Sequence, residues 1–95
     1  MATFDVAHIR QQGVDLIIIP LTSSFGHKTS NEQKSIVVAL QAASRSAGLA
    51  GTVVPVWDAG FGRMAFLAPR PWHSFFASIN LMFVSSNINR QLICN

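Results

Sequence analysis

The sequence predicts a single mixed α+β domain spanning residues 1–95, and three observations support this prediction. Apolar residues make up 49% of the chain and charged residues only 12%, a composition that builds a core and is not typical of a disordered chain. A near-continuous apolar run, VDLIIIPL, indicates a buried strand, whereas two later segments place apolar residues at helical spacing. A chain of 95 residues leaves room for one core only.

The first half of the chain predicts three elements. Residues 3–12 are compatible with a short helix or with a strand. Residues 14–21 predict a central strand covered on both faces, because nearly every position is apolar. Ser30 and Gln33 form an S-x-x-Q capping box, which predicts a helix that begins there and ends at Gly48.

The second half predicts a hairpin, a helix and a last strand. Residues 52–57 and 63–68 are the two strands of the hairpin, and Pro55 predicts that the first of them lies at a sheet edge, since proline cannot donate to an interior ladder. Aromatic residues at helical spacing predict one helix over residues 72–83. Residues 90–94 predict a short strand.

The resulting order is βαββαβ, preceded by the short N-terminal helix or strand. This order predicts a ferredoxin-like split βαβ arrangement, in which a four-stranded antiparallel sheet carries two helices on one face. The other face of the sheet would then lack a cover.

That open face predicts an interface between copies of the chain. Alternation along the strands places five residues on it: Ile17, Ile19, Phe61, Arg63 and Leu67. Leaving several large apolar side chains in water forgoes several kcal/mol, comparable with the net stability of a small domain. We therefore expect a homo-oligomer, a dimer or larger, whose subunits pack through this face or are partly covered by the N-terminal segment.

The loop after the central strand is the candidate ligand-binding site. It carries Ser23, Ser24, His27, Lys28 and Thr29, and it precedes a helix whose free N-terminal amides favour anions. Loops in this position of α/β sheets commonly bind ligands. A phosphate or carboxylate is the expected ligand class, and a plain polar connection is the alternative.

The sequence offers little support for catalysis. The three histidines are far apart with no metal-ligand spacing, the four acids are dispersed, and no nucleophile motif occurs. The single cysteine, Cys94, excludes an intrachain disulfide. We expect no catalytic residue, metal or cofactor; an enzyme using His27 near a subunit interface, with Lys28 and Asp58, is the least favoured hypothesis.

One segment resembles a nucleic-acid-binding motif. The string AGFGRMAF, residues 59–66, resembles the RNP1 string of RNA-recognition domains. The matching positions are Gly60, Phe61, Gly62, Met64 and Phe66, whereas Ala59 replaces the basic residue and Arg63 the second stacking aromatic. The resemblance implies RNA or single-stranded nucleic acid as a ligand, with Phe61 as the stacking residue.

Charge and targeting signals complete the expectations. The formal net charge is +3 and the isoelectric point is near 10.0, but the basic residues are scattered singly along the chain. No signal-like N-terminus or membrane-spanning run occurs, so we expect a cytoplasmic protein that does not enter membranes. The favoured function is a small, non-catalytic, self-associating binding module, and the nucleic-acid-binding domain is the alternative.

Overall fold

A computed structural model describes residues 2–94 as a five-stranded sheet with helices on both faces. The strands are β1 (Ala2–Gln11), β2 (Val14–Pro20), β3 (Thr52–Asp58), β4 (Met64–Phe66) and β5 (Arg90–Cys94), and the helices are α1 (Ser30–Ser46), α2 (His73–Ser78) and α3 (Leu81–Ser86). Short 3₁₀ helices lie at Ser23–His27 and Arg70–Trp72. The strand order is β4-β3-β2-β1-β5, in which β2 and β3 are parallel and the other neighbours antiparallel.

The N-terminal segment is a strand, which resolves the choice between helix and strand. It joins β2 through a two-residue turn, Gln12 and Gly13, that closes on the pair Gln11 and Val14. Both turn residues have positive φ, 52° and 76°, as a type I′ hairpin turn requires. Glutamine is an uncommon first residue of such a turn, so the sequence carries a weak hairpin signal here.

The apolar run of β2 is confirmed as the central strand covered on both faces. Leu16 and Ile18 lie against α2 and α3, in one cluster with Phe76 and Val84. On the opposite face, Ile17 and Ile19 pack in a second cluster with Leu40 of α1, together with Val6, Val53 and Leu92. All four β2 side chains are fully buried within one chain.

The expectation of an open sheet face is therefore wrong. Ile17 and Ile19 have no exposed surface in the isolated chain, because α1 lies over them. The other three residues expected on that face, Phe61, Arg63 and Leu67, are exposed. They lie in or beside β4 at the edge of the sheet.

The mixed α+β class is confirmed, but the ferredoxin-like arrangement is not. That arrangement inserts a strand between the two parallel strands of each βαβ unit, whereas β2 and β3 are direct neighbours, with Ile18 opposite Val54. The reason is that a strand has two edges. β1, the hairpin partner of β2, pairs with one edge of β2, so β3 pairs with the other. The sheet consequently has five strands instead of four, and the helices cover two faces instead of one.

Helix α1 begins one residue earlier than its expected capping box. Thr29 is the N-cap: its hydroxyl accepts from the Glu32 amide at 3.2 Å, and its own amide donates to the Glu32 carboxylate at 2.9 Å. Glutamate replaces glutamine as the reciprocal partner, and Gln33 instead donates to the Phe25 carbonyl at 2.9 Å. Gly48, with φ 81°, lies just beyond the last helical residue, as expected.

The aromatic segment forms two short helices where one was expected. Ile79 and Asn80 have extended backbones that break it, and the Asn80 side chain accepts from the Phe83 amide at 2.9 Å as the N-cap of α3. Asparagine is among the strongest N-cap residues. The break lets both helices keep their aromatic side chains on the same sheet face.

The edge strand of the second hairpin is β4, and the prediction that Pro55 marks an edge is wrong. β3 lies between β2 and β4. Pro55 is tolerated because the paired ladder between β3 and β4 covers only Val56 to Asp58, and Pro55 lies just outside it. The Pro55 carbonyl still accepts from the Leu67 amide at 3.1 Å.

Candidate functional site

The parallel pair β2 and β3 brings two loops to one edge of the sheet. The 3₁₀ helix Ser23–His27 follows β2, and Asp58 to Gly60 follow β3. Between them lies a crevice of about 330 Å³, lined by Ser23, Gly26, His27, Trp57, Asp58, Ala59 and Gly60. Carboxyl ends of parallel strands are where open α/β sheets commonly bind ligands.

One wall of the crevice is the Trp57 side chain, which packs tightly on Phe25. The Phe25 and Trp57 rings lie 4.9 Å apart, and both side chains are buried. The backbone at Gly26 rests directly on the indole, since a Cβ at this position would lie 2.5 Å from Trp57 Nε1. Only glycine permits this approach, which explains the residue and was not apparent from the sequence.

The structure separates the five expected ligand residues. Ser23 and His27 line the crevice, whereas Ser24 and Lys28 line a neighbouring depression with Phe4 and Asp5. Ser24 also shares a 2.7 Å hydrogen bond with the Thr22 hydroxyl. Thr29 belongs to neither surface, because both its amide and its hydroxyl are bonded to Glu32.

The helix N-terminus beside this loop already holds a negative charge. Hydrogen bonds from the Thr29 amide and hydroxyl, with the nearby Lys28 ammonium, lower the pKa of the exposed Glu32 carboxyl. This carboxylate accepts from the Thr29 amide in the region where the sequence suggested an external anion. The Glu32 side chain thus competes with a phosphate or carboxylate for this end of α1.

Two histidines serve the fold by bonding to backbone carbonyls. The Nε2 atom of His8 lies 2.8 Å from the Ala50 oxygen, and that of His73 lies 2.9 Å from the Ala68 oxygen. His27 lines the crevice with Asp58, whose carboxylate accepts from the Gly60 amide at 2.8 Å. Within residues 2–94, no three His, Cys, Asp or Glu side chains lie close enough to hold a metal ion.

A second surface, which we name the β4 groove, lies on the α1 face beside the edge strand. It encloses about 540 Å³, its apolar wall is formed by Val37, Val38, Val53, Leu67, Ala68 and Pro69, and its rim by Ser30, Gln33, Lys34, Gln41 and Thr52. Val38 is 63% exposed and Leu67 39%. The run of three apolar residues Ile36, Val37 and Val38 in α1 was the available signal, because three successive helical residues span too wide an arc for all of them to face the core.

Phe61 projects from the tip of the β3–β4 hairpin and is fully exposed. Its backbone is left-handed, with φ 54°, between two glycines. The loop is held by bonds from the Ala59 amide to the Arg63 carbonyl at 2.7 Å and from the Arg63 amide to the Gly60 carbonyl at 3.0 Å. The hairpin therefore holds the ring in solvent, away from its own chain.

The RNP1-like string does not retain the geometry that would present three rings. Phe66 packs into the core cluster, 5.5 Å from the Phe76 ring, so Phe61 is the one aromatic residue of the string that remains exposed.

Comparisons of the chain with protein-family models, with curated proteins and with solved structures give no match. Within residues 2–94, none of the helices is both long and apolar enough to cross a membrane.

Proposed function

We propose that this chain is a small, non-catalytic binding module that associates with a second copy of itself through the edge of β4. The observation that carries the proposal is the apolar surface there, where Phe61 is fully exposed beyond one end of the strand and the β4 groove opens beyond the other. An exposed aromatic ring and an open apolar groove on one edge of a small domain are typical of interaction sites.

The energetics favour burial of this surface in a partner. Burying one phenylalanine side chain contributes about 1.5–3 kcal/mol. The positive φ of Phe61, like that of Gln12, serves a tight hairpin turn, whereas its fully exposed ring buries no surface in the isolated chain. A fully exposed aromatic side chain is typical of an anchor that docks into another surface.

The polar side chains in and near the His27 crevice stabilise the fold and give little support for a ligand-binding or catalytic function. Asp58, Thr29 and Glu32 each make hydrogen bonds within the loops that carry them. General base catalysis needs an acceptor oriented by a further group. The described residues provide no hydrogen-bond partner for the His27 ring, so the enzyme hypothesis rests on its position alone.

Self-association is tested by sedimentation velocity from about 1 to 100 µM. We expect a dimer or a larger assembly for the native chain, and at least tenfold weaker association for Phe61→Ser, because that substitution removes the anchor. The matched control is Met82→Ser, which removes another exposed apolar side chain (76%) on α3 and should leave association unchanged. A mass equal to one chain at 100 µM would contradict the proposal.

Nucleic-acid binding is the second candidate, favoured by the exposed pair Phe61 and Arg63 and the net charge of +3. The dependence of each affinity on salt concentration distinguishes nucleic-acid binding from self-association. Binding to a fluorescent single-stranded oligonucleotide would weaken steeply with salt as counterions are released. The affinity of self-association should stay the same or rise as salt is added, because salt screens the repulsion between two cationic copies.

A further inference from the structure

The free edge of β4 presents a defined set of backbone groups. The Arg63 carbonyl and the Leu67 amide both bond to the β3 side of the hairpin. Because successive residues of a strand point their amide and carbonyl groups to alternate sides, those of Met64 and Phe66 face outward. Two residues with unpaired groups are enough to pair with the same two residues of another copy.

Phe61 and the β4 groove lie beyond opposite ends of β4. Phe61 lies four residues before Ala65, and Pro69, at the groove wall, lies four residues after it. Antiparallel pairing about a two-fold axis at Ala65 sets Met64 of one copy opposite Phe66 of the other. Phe61 and Gly62 are the positive-φ residues of the turn before β4, so the strand register does not extend to them. The pairing brings this turn beside the carboxyl end of the second copy's β4, where the groove opens.

We infer that two copies pair their β4 strands antiparallel about Ala65 and that Phe61 of each copy fills the β4 groove of the other. This inference rests on the proposed self-association and states which surface each copy contributes. The two-fold axis is normal to the sheet, so both α1 helices, and both grooves, lie on the same face. Each groove is then complete only with the second copy's ring.

The second copy is the favoured occupant because the ring cannot reach its own groove. The hairpin holds Phe61 beyond the amino end of β4, whereas Leu67 and Pro69 lie beyond its carboxyl end. The register places Arg63, the one charged residue of segment 61–69, opposite Leu67 of the second copy.

The two inserted rings would supply a large part of the area that a stable dimer needs. Two phenylalanine rings bury roughly 300–500 Å² and cover a similar area of groove wall. Specific interfaces bury about 1,200–2,000 Å² in total. Ring insertion thus supplies about half of a standard interface, and the strand pair with its flanking side chains supplies the remainder.

Disulfide trapping tests the register. In a Cys94→Ser background, Ala65→Cys should give a covalent dimer on oxidation, because paired residues on such an axis have Cα atoms about 4.5 Å apart, within the range of a disulfide. The control is Ile93→Cys in the same background, which places an exposed cysteine (59% exposed as isoleucine) on the opposite edge strand, β5. It should give no covalent dimer under the same oxidation.

Mixing two variants tests the insertion. Phe61→Ser keeps the groove but lacks the ring, and Val38→Asp keeps the ring but places a charge in the groove. Both positions are exposed, so both chains should fold. Each alone should associate at least tenfold more weakly than the native chain, whereas a mixture recovers part of the affinity, since one ring and one intact groove remain in the mixed dimer.

The outcomes separate this inference from the proposed function. A native chain that stays monomeric at 100 µM overturns both. A native dimer in which Ala65→Cys gives no cross-link, or in which the mixture associates no better than either variant alone, overturns the β4 arrangement and leaves self-association standing. Cross-linking by Ile93→Cys instead would assign the interface to β5.

Discussion

The loop at Ser23–His27 and the segment from Phe61 to Pro69 are both exposed, yet they differ in how their side chains are used. Beside the first, Thr29 and Glu32 bond to each other and the Ser24 hydroxyl bonds to Thr22. In the second, Phe61 and the groove valine Val38 project into solvent. A cluster of polar residues is thus weak evidence for a ligand site when the backbone nearby needs those groups, whereas exposed apolar side chains have no such use.

The strongest test of this contrast is Gly26→Ala, in the polar loop. A methyl group would lie 2.5 Å from Trp57 Nε1, so the loop or the buried indole must move. We expect the free energy of unfolding to fall by about 1–3 kcal/mol, measured by urea denaturation. Ser23→Ala, at an exposed position in the same crevice, is the control and should change it by less than about 0.5 kcal/mol.

The same contact can be isolated by a double-mutant cycle. In a Trp57→Phe background, which removes the indole nitrogen, Gly26→Ala should be less costly than in the native chain. Equal costs in the two backgrounds would show that the indole is not what requires glycine.

A moderate effect is expected for Thr29→Ala. The substitution removes the hydroxyl that accepts from the Glu32 amide, and loss of such an N-cap lowers the free energy of unfolding by about 0.5–2 kcal/mol. Thr29→Ser keeps the hydroxyl and should stay close to the native value in thermal or urea unfolding. If Thr29→Ala left stability intact but weakened binding of inorganic phosphate, the loop would be a ligand site after all.

The smallest effect is the pH dependence of Glu32. Its pKa is lower in the folded chain, so its ionised form stabilises the fold above its usual pKa, and this contribution disappears as the pH falls through the lowered value. Glu32→Gln keeps an acceptor for the Thr29 amide but has no charge. The stability difference between the two chains should therefore shrink from pH 7 to pH 3, and a constant difference would contradict the assignment.

Several elements could be predicted because their signals are local. The apolar run of β2, the apolar stripe and terminal glycine of α1, and the strand β5 are confirmed, since periodicity and caps depend only on neighbouring residues. The β1–β2 hairpin was missed as a hairpin because Gln12 is not a typical residue of its turn. The break at Asn80 was missed because the aromatic spacing continues across it.

The candidate sites were predicted less completely, for a related reason. The sequence placed His27 correctly beside the carboxyl end of a central strand, but Trp57 and Gly26 meet there only because β3 lies next to β2. Likewise, Phe61, Arg63 and Leu67 are exposed beside the edge strand, whereas Ile17 and Ile19, expected on the same face, are covered by α1. Alternation identifies the two faces of a strand but not which helix covers each.

Local propensity and periodicity were enough to predict the mixed class, the buried central strand and the positions at which most elements begin and end. The order of the strands, the placement of helices on both faces and the pairing of polar groups within the His27 loop became apparent only in the folded chain. The physical reason is that strand neighbours are chosen by hydrogen bonding and packing between residues far apart in the chain, and short-range patterns do not encode that choice.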